Sequence, residues 1–150
     1  MVKRIYVDNS VIGGRHDSEF SKHTERLFYE FRLGLYIPVV SEVTEDEIQG
    51  APAEVKKTFN ELADISEYVE LSGDAIKLAD QYIKDGKFTR RMLFDTLHIA
   101  CATVNRIDIL VSWNFRDIVN LNKIVIYDSV NIKNGYSPIQ IRNPREVLHE

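Results

Sequence analysis

A chain of 150 residues, 44% hydrophobic and 28% charged, has the size and balance of a single globular domain, and this composition excludes a disordered segment. The net charge of -4 argues against a general polyanion binder with a broad basic surface, although carboxylates that grip divalent cations also count as negative. The lone cysteine, Cys101, excludes an internal disulfide, nothing resembles a zinc cluster, and no apolar run suits a signal peptide or a bilayer span, so a cytoplasmic protein with no membrane contact is expected.

Lys3 to Val7 is a short β-branched and aromatic run, cut off by Asp8-Asn9-Ser10. It reads as a first, central strand feeding a tight loop. Asp8 then lies at the carboxyl end of a strand, where open α/β sheets place their ligands. Turn chemistry and a helix cap are the other reading of the same three residues. From Glu19 to Leu33 the spacing of Phe20, His23, Leu27, Phe28 and Phe31 predicts a helix, with Gly34 as its stop. Leu35 to Val40 follows as a second strand, broken at Pro38. Ser41 has the place of an N-cap opening a helix through Ile48. The helix dipole alone accounts for an acid at Glu42. Glu47 lies further along, on the face of Val43, and can reach the polar margin of the core. A solvated acidic face is its alternative.

Pro52, Val55, Phe59 and Leu62 mark another amphipathic helix. Tyr68 to Leu71 is a brief strand candidate. Ser72 caps a helix that carries Ala75, Ile76, Leu78, Ala79 and Ile83 and ends at Lys84-Asp85-Gly86-Lys87. Arg90 and Arg91 come next, either as a solvated helix start or as contacts for phosphate. The segment from Met92 to Val104 is apolar on nearly every side, the mark of a buried helix. Asp95 sits inside it, and an ionised carboxylate taken out of water needs a compensating partner. His98 follows as a core histidine or a support for a ligand. Ile107 to Val111 reads as a strand ending in Ser112-Trp113-Asn114-Phe115-Arg116-Asp117. Ile124 to Tyr127 reads as one more strand, ended by Asp128-Ser129, and Ile139-Gln140-Ile141 lies in the tail.

Strands therefore alternate with helices along one domain, residues 1–150. The pattern predicts a three-layer α/β/α fold around a mostly parallel sheet. Asp8, Glu47, Asp95 and Asn114 all fall at or soon after strand ends, so one rim can gather them. Carboxylates crowded there would repel one another without cations, and oxygen donors suit Mg²⁺ or Mn²⁺. Such ions activate water for in-line displacement at phosphorus. No glycine-rich phosphate loop and no Ser-His-Asp or Cys-His arrangement competes. A phosphoryl-accepting hydrolase would want an aspartate where Ser10 stands. A receiver domain would want an acidic pair and a late lysine that Asp8-Asn9 and Val111-Ser112 do not supply.

Four stretches, in order, carry a resemblance. They are Tyr6-Val7-Asp8-Asn9-Ser10, Ser41-x-x-Thr44-x-x-Glu47-Ile48, Asp95-Thr96-Leu97-His98-Ile99-Ala100 and Leu110-Val111-Ser112-Trp113-Asn114. Together they resemble the PIN domain family, and the likeness spans nearly the whole chain. It implies a five-stranded parallel sheet and Mg²⁺- or Mn²⁺-dependent endoribonuclease activity. Its small single-domain members resemble the toxins of VapBC toxin-antitoxin pairs, which implies RNA as substrate, an antitoxin partner and a homodimer. Asp8, Glu47 and Asp95 match the acidic metal-holding positions, and Ser10 matches the hydroxyl after the first aspartate. The family commonly carries a further aspartate in a Thr-x-Asp setting, where this chain has Ser112-Trp113-Asn114. Asn114 offers a carbonyl oxygen without the charge. Ser112 and Asp117 are supporting candidates, and Arg90, Arg91 and Arg116 are candidates for RNA phosphates. The departure leaves a second expectation, a catalytically weak or inactive RNA-binding module.

Overall fold

The computed structural model describes residues 1–150. The strands are β1 (Arg4–Val7), β2 (Ile37–Ser41), β3 (Glu67–Val69), β4 (Ile109–Val111) and β5 (Gln140–Arg142). Helices α1 (Asn9–Gly14) and α2 (Ser21–Arg32) join β1 to β2, and α3 (Glu42–Ile48) and α4 (Ala53–Ala63) join β2 to β3. A longer crossover leads to β4: α5 (Gly73–Gly86), a 3₁₀ turn at Arg90–Met92 and α6 (Leu93–Val104). Helix α7 (Leu121–Lys133) precedes β5, and α8 (Pro144–Val147) follows it. All strand pairs are parallel, in the order β3-β2-β1-β4-β5, so the expected α/β/α architecture with a five-stranded sheet is what forms. β1 is central, as its early, apolar run predicts.

Strand alternation sorts the core into two layers. Tyr6, Val39, Leu110 and Ile141 face one side, where α5, α6 and α7 pack. Ile5, Val7, Val40, Ile109 and Val111 face the other, against α1, α2 and α4. Helix α3 spans the boundary, with Val43 in the first core and Ile48 in the second. That placement keeps Glu47, between them in sequence, at the edge of the sheet. Helix α6 is buried from Thr96 through Thr103, as its all-round apolar sequence predicts. No helix is long and apolar enough to cross a membrane.

The segment read as a strand, Ile124 to Tyr127, is the middle of α7. Its β-branched residues favour a strand locally. β4 and β5 are parallel neighbours, however, and such a pair needs a crossover of a dozen or so residues, usually a helix. Asn120 caps that helix by accepting from the Lys123 amide, and Tyr127, Val130 and Asn131 form its buried face. The edge position belongs instead to the short tail strand.

Gly14, at the end of α1, is a place where only glycine fits. A Cβ there would lie 2.8 Å from Trp113 Cδ1 and 3.1 Å from Thr24 Oγ1. Gly14→Ala is expected to lower stability by about 1–3 kcal/mol, because the buried indole must move. Urea unfolding measures this as a lower midpoint at constant slope. A midpoint equal to wild type would show that the contact is loose.

Candidate functional site

Parallel strands bring their carboxyl ends to one rim, and a crevice opens where the connections turn opposite ways from β1. Asp8 follows β1 there and Ser112 follows β4. Asp8 is 3% exposed and is the hub of this corner. Its Oδ1 accepts from Ser10 Oγ at 2.7 Å and from the Val11 amide at 3.2 Å, and its Oδ2 accepts from Ser112 Oγ at 2.7 Å. It is thus both the cap of α1 and a rim acid, so the two sequence readings coexist. Burial raises its pKa, and the His98 charge and the three hydrogen bonds only partly oppose that rise. Beside it, Asn9 Oδ1 is the only buried side-chain oxygen or nitrogen without a partner, while Asn9 Nδ2 donates to the Thr44 carbonyl.

Glu47 is held from behind. His98 is buried, and its Nε2 lies 2.9 Å from Glu47 Oε1 while its Nδ1 lies 2.6 Å from the Tyr6 hydroxyl. A carboxylate can only accept, so in the neutral ring Nε2 carries the proton and Nδ1 accepts from Tyr6. The Tyr6 hydroxyl also meets Ser41 Oγ at 2.6 Å. Burial pushes the Tyr6 phenol well above its ordinary value, so it stays neutral. Ser41 closes the chain as the N-cap of α3, in a reciprocal capping box with Thr44. Tyr6 was legible only as a strand residue; its partner lies 92 positions away, and no local pattern marks it.

Asp95 differs from both. It stands in the first turn of α6, is half-buried, and no protein group donates a hydrogen bond to its carboxylate. Its pKa is raised to about 6, first by burial and then by the charges of Asp117, Asp8 and Glu47, with His98 opposing. The helix dipole favours an acid at this position, but it supplies no partner. Asp8, Glu47, Asp95 and Asp117 therefore share one electrostatic neighbourhood.

The remaining expected residues are placed differently. Asn114 Oδ1 accepts from the Asp117 amide at 3.0 Å, so its one carbonyl oxygen closes a turn. Asp117 is buried between cations, with Arg91 Nη1 at 2.8 Å and Lys123 Nζ at 2.5 Å. Those partners overcome its burial and hold its pKa below the ordinary value. Lys123, on α7, is the third member of this cluster, and no local pattern marks its contact with Asp117. Arg116 is largely exposed, with Nε 4.0 Å from Asp117, and Arg90 is exposed and makes no ion pair. Ser112 joins the Asp8 hub and also accepts from the Asn114 amide at 2.9 Å.

As placed, no three His, Cys, Asp or Glu side chains converge closely enough to ligate one ion. Glu47 is turned to His98 and Asp117 to its cations. The donor chemistry still suits Mg²⁺ or Mn²⁺. Magnesium keeps most of its water and is commonly held by one or two carboxylates together with substrate phosphate. Asp95 and Asp8 are the two acids of this neighbourhood whose pKa burial raises.

Comparison with known proteins yields a fold. No protein-family model matches the chain, and no curated protein sequence matches it either. Solved structures do. VapBC2 from Rickettsia felis, bound to a DNA fragment from its promoter, superposes with a TM-score of 0.60 at 9% identity, covering 93% of this chain and 98% of that one. FitAcB from Neisseria gonorrhoeae gives 0.61 at 11% identity over 93% and 97%. VapC20 of Mycobacterium tuberculosis, a toxin that cleaves the sarcin-ricin loop, gives 0.57 at 12% identity over 75% and 91%. The fold is the PIN-domain fold that the sequence resemblance implies.

Proposed function

We propose that the chain is a Mg²⁺- or Mn²⁺-dependent endoribonuclease that serves as the toxin of a toxin-antitoxin pair. The observation that carries this reading is Asp95. It is an unpartnered, half-buried carboxylate, raised to about 6, in the electrostatic neighbourhood of Asp8 and Glu47. Such a site gains by taking up a cation. The fold shared with VapC20, VapBC2 and FitAcB supports the same reading. Asp8 and Asp95 would hold the ion, with Glu47 as the third acid of the rim. A bound dication supplies an acidified water as nucleophile and offsets charge on the phosphoryl oxygens. Ser10 and Ser112 fix Asp8, and His98 fixes Glu47. Arg90 makes no ion pair and Arg116 is exposed at the limit of contact with Asp117, so both can turn to phosphates, whereas Arg91 is held by Asp117. RNA, an antitoxin protein and a second copy of the chain are the proposed partners, and the cytoplasm the proposed location.

The test is cleavage of RNA by the pure protein. With Mn²⁺ or Mg²⁺ the RNA is cut, with EDTA it is not, and Asp8→Asn is at least about 100-fold slower. Equal rates in wild type and variant, or cutting that survives EDTA, would reject the assignment. A second reading rests on Asn114 and Asp117, whose oxygens are committed to a turn and to Arg91 and Lys123. In that reading the protein binds RNA with little or no turnover, and binding survives Asp8→Asn. A reading frame for a small, basic, DNA-binding-like protein directly upstream would support the toxin-antitoxin assignment.

A further inference from the structure

Next to the acids, the rim exposes aromatic surface that the fold does not bury. Phe115 directly follows Asn114 and is 48% exposed. Single exposed apolar residues are ordinary, but Phe115 is not single. It lies 6.1 Å from the ring of Trp113 and 6.4 Å from that of Phe20, and those two rings stack at 4.4 Å, 18° from parallel. The base of this stack is rigid. Trp113 is buried, and its indole N–H donates to Thr24 Oγ1 at 2.9 Å. Its amide donates to Ser10 Oγ at 2.8 Å, and Ser10 donates in turn to Asp8. The outer ring therefore stands on a support tied to the candidate reacting centre.

An exposed cation adjoins it. Arg116 is the next residue, largely exposed, and shares Asp117 with Arg91. An exposed aromatic face beside arginines is what single-stranded nucleic acid uses: bases stack on the ring while cations track the phosphates. A duplex cannot use such a ring, because its base faces are already stacked on one another.

We propose that Phe115 is the stacking platform for an unpaired base of a single-stranded RNA whose backbone passes Asp8 and Asp95, with Arg116 on the adjoining phosphate. This rests on the rim being an RNA site. It adds the residue, Phe115, that holds a base beside the acids.

Trp113 is the only tryptophan, so its fluorescence reports on the stack. The full chain in EDTA is titrated with oligoadenylate of about ten nucleotides, with the same strand annealed to oligouridylate, and with a strand of abasic sites. Wild type, Phe115→Ala and Phe115→Tyr are compared, with circular dichroism confirming that each is folded. The single strand is expected to quench the fluorescence and to bind Phe115→Ala about tenfold or more weakly. Phe115→Tyr restores affinity, and the duplex and abasic strands gain nothing from Phe115. Equal binding of the single strand by wild type and Phe115→Ala, or a preference for duplex, would overturn the platform. So would a dimer in sedimentation that Phe115→Ala turns into a monomer with RNA affinity unchanged, because the ring would then be an interface between copies. The cleavage assay separates the two readings. Absent cleavage with Phe115-dependent binding removes the enzymatic assignment alone, and metal-dependent cleavage with Phe115-independent binding removes the platform alone.

Discussion

Asp95→Asn is expected to abolish RNA cleavage and, at neutral pH without metal, to make the protein more stable. Both effects follow from one placement. The carboxylate has no hydrogen-bond donor and titrates at about 6 in the folded chain, against an ordinary value of 3.8. The folded state therefore keeps this proton through a window in which the unfolded chain has lost it. Stability from this group is full below about 3.8 and is lost as pH rises through about 6. A two-unit shift, reduced for partial exposure, leaves about 2 kcal/mol of strain at pH 7. The amide side chain carries no such penalty, so the variant should melt about 4–8 °C higher than wild type at pH 7 in EDTA and show no difference at pH 4. A dication relieves the same strain, so Mn²⁺ should raise the wild-type midpoint more than that of Asp95→Asn. The cleavage rate of the variant should fall about 100-fold or more. Melting curves at the two pH values, with and without Mn²⁺, check the electrostatic part without any turnover. An Asp95→Asn midpoint at or below wild type at pH 7 would show that the carboxylate is satisfied as it stands.

Much of this site is written locally. The run before Asp8 and the run before Ser112 are β-branched and end in polar residues, so β1 and β4 can be read directly, and a parallel sheet brings their ends together. The apolar wrapping of Asp95 announces burial without reference to anything distant. What escapes is whatever depends on residues far apart or on topology. The Arg91–Asp117–Lys123 cluster joins positions 26 and 6 apart, on the 3₁₀ turn, the β4–α7 loop and α7, and nothing in any one segment signals it. Ile124 to Tyr127 has strand chemistry and helical structure because the parallel crossover overrides propensity. Asn114 was open to a better reading: an Asn three residues before Asp117 has the spacing of a local side-chain cap, and its oxygen is used that way. Asp8 follows a strand as expected, whereas Asp95 does not: it opens α6 after α5 and the 3₁₀ turn, and the direction each acid takes is set by partners that the chain supplies from elsewhere.

Trp113→Ala should produce the largest loss of stability of any single change at the rim, about 3–5 kcal/mol, as truncation of a buried Trp generally does. The indole is 8% exposed, stacks on Phe20 and fills the space that Gly14 leaves open. For a domain of this length the loss is about 10 °C in melting temperature. Trp113→Phe tests how much of this loss belongs to the aromatic stack. It keeps an aromatic ring on Phe20 but removes the indole donor to Thr24 together with the part of the ring that fills the space beside Gly14. Thr24 Oγ1 is not stranded by that change, because it also donates to the Phe20 carbonyl at 2.9 Å. The cost should then be about 1–3 kcal/mol, the lost hydrogen bond plus the small cavity beside Gly14. Urea unfolding followed by circular dichroism gives both numbers without relying on the lost fluorophore. Equal losses for Ala and Phe would assign the stability to the five-membered ring and its N–H rather than to the stack on Phe20, and a loss under about 1 kcal/mol for Ala would show that the stack is not packed as a core. The comparison also bears on catalysis, because the amide of residue 113 donates to Ser10 and Ser10 donates to Asp8. Trp113→Phe leaves that backbone link in place and should cleave RNA like wild type, whereas Trp113→Ala, with its support emptied, should lose activity along with stability.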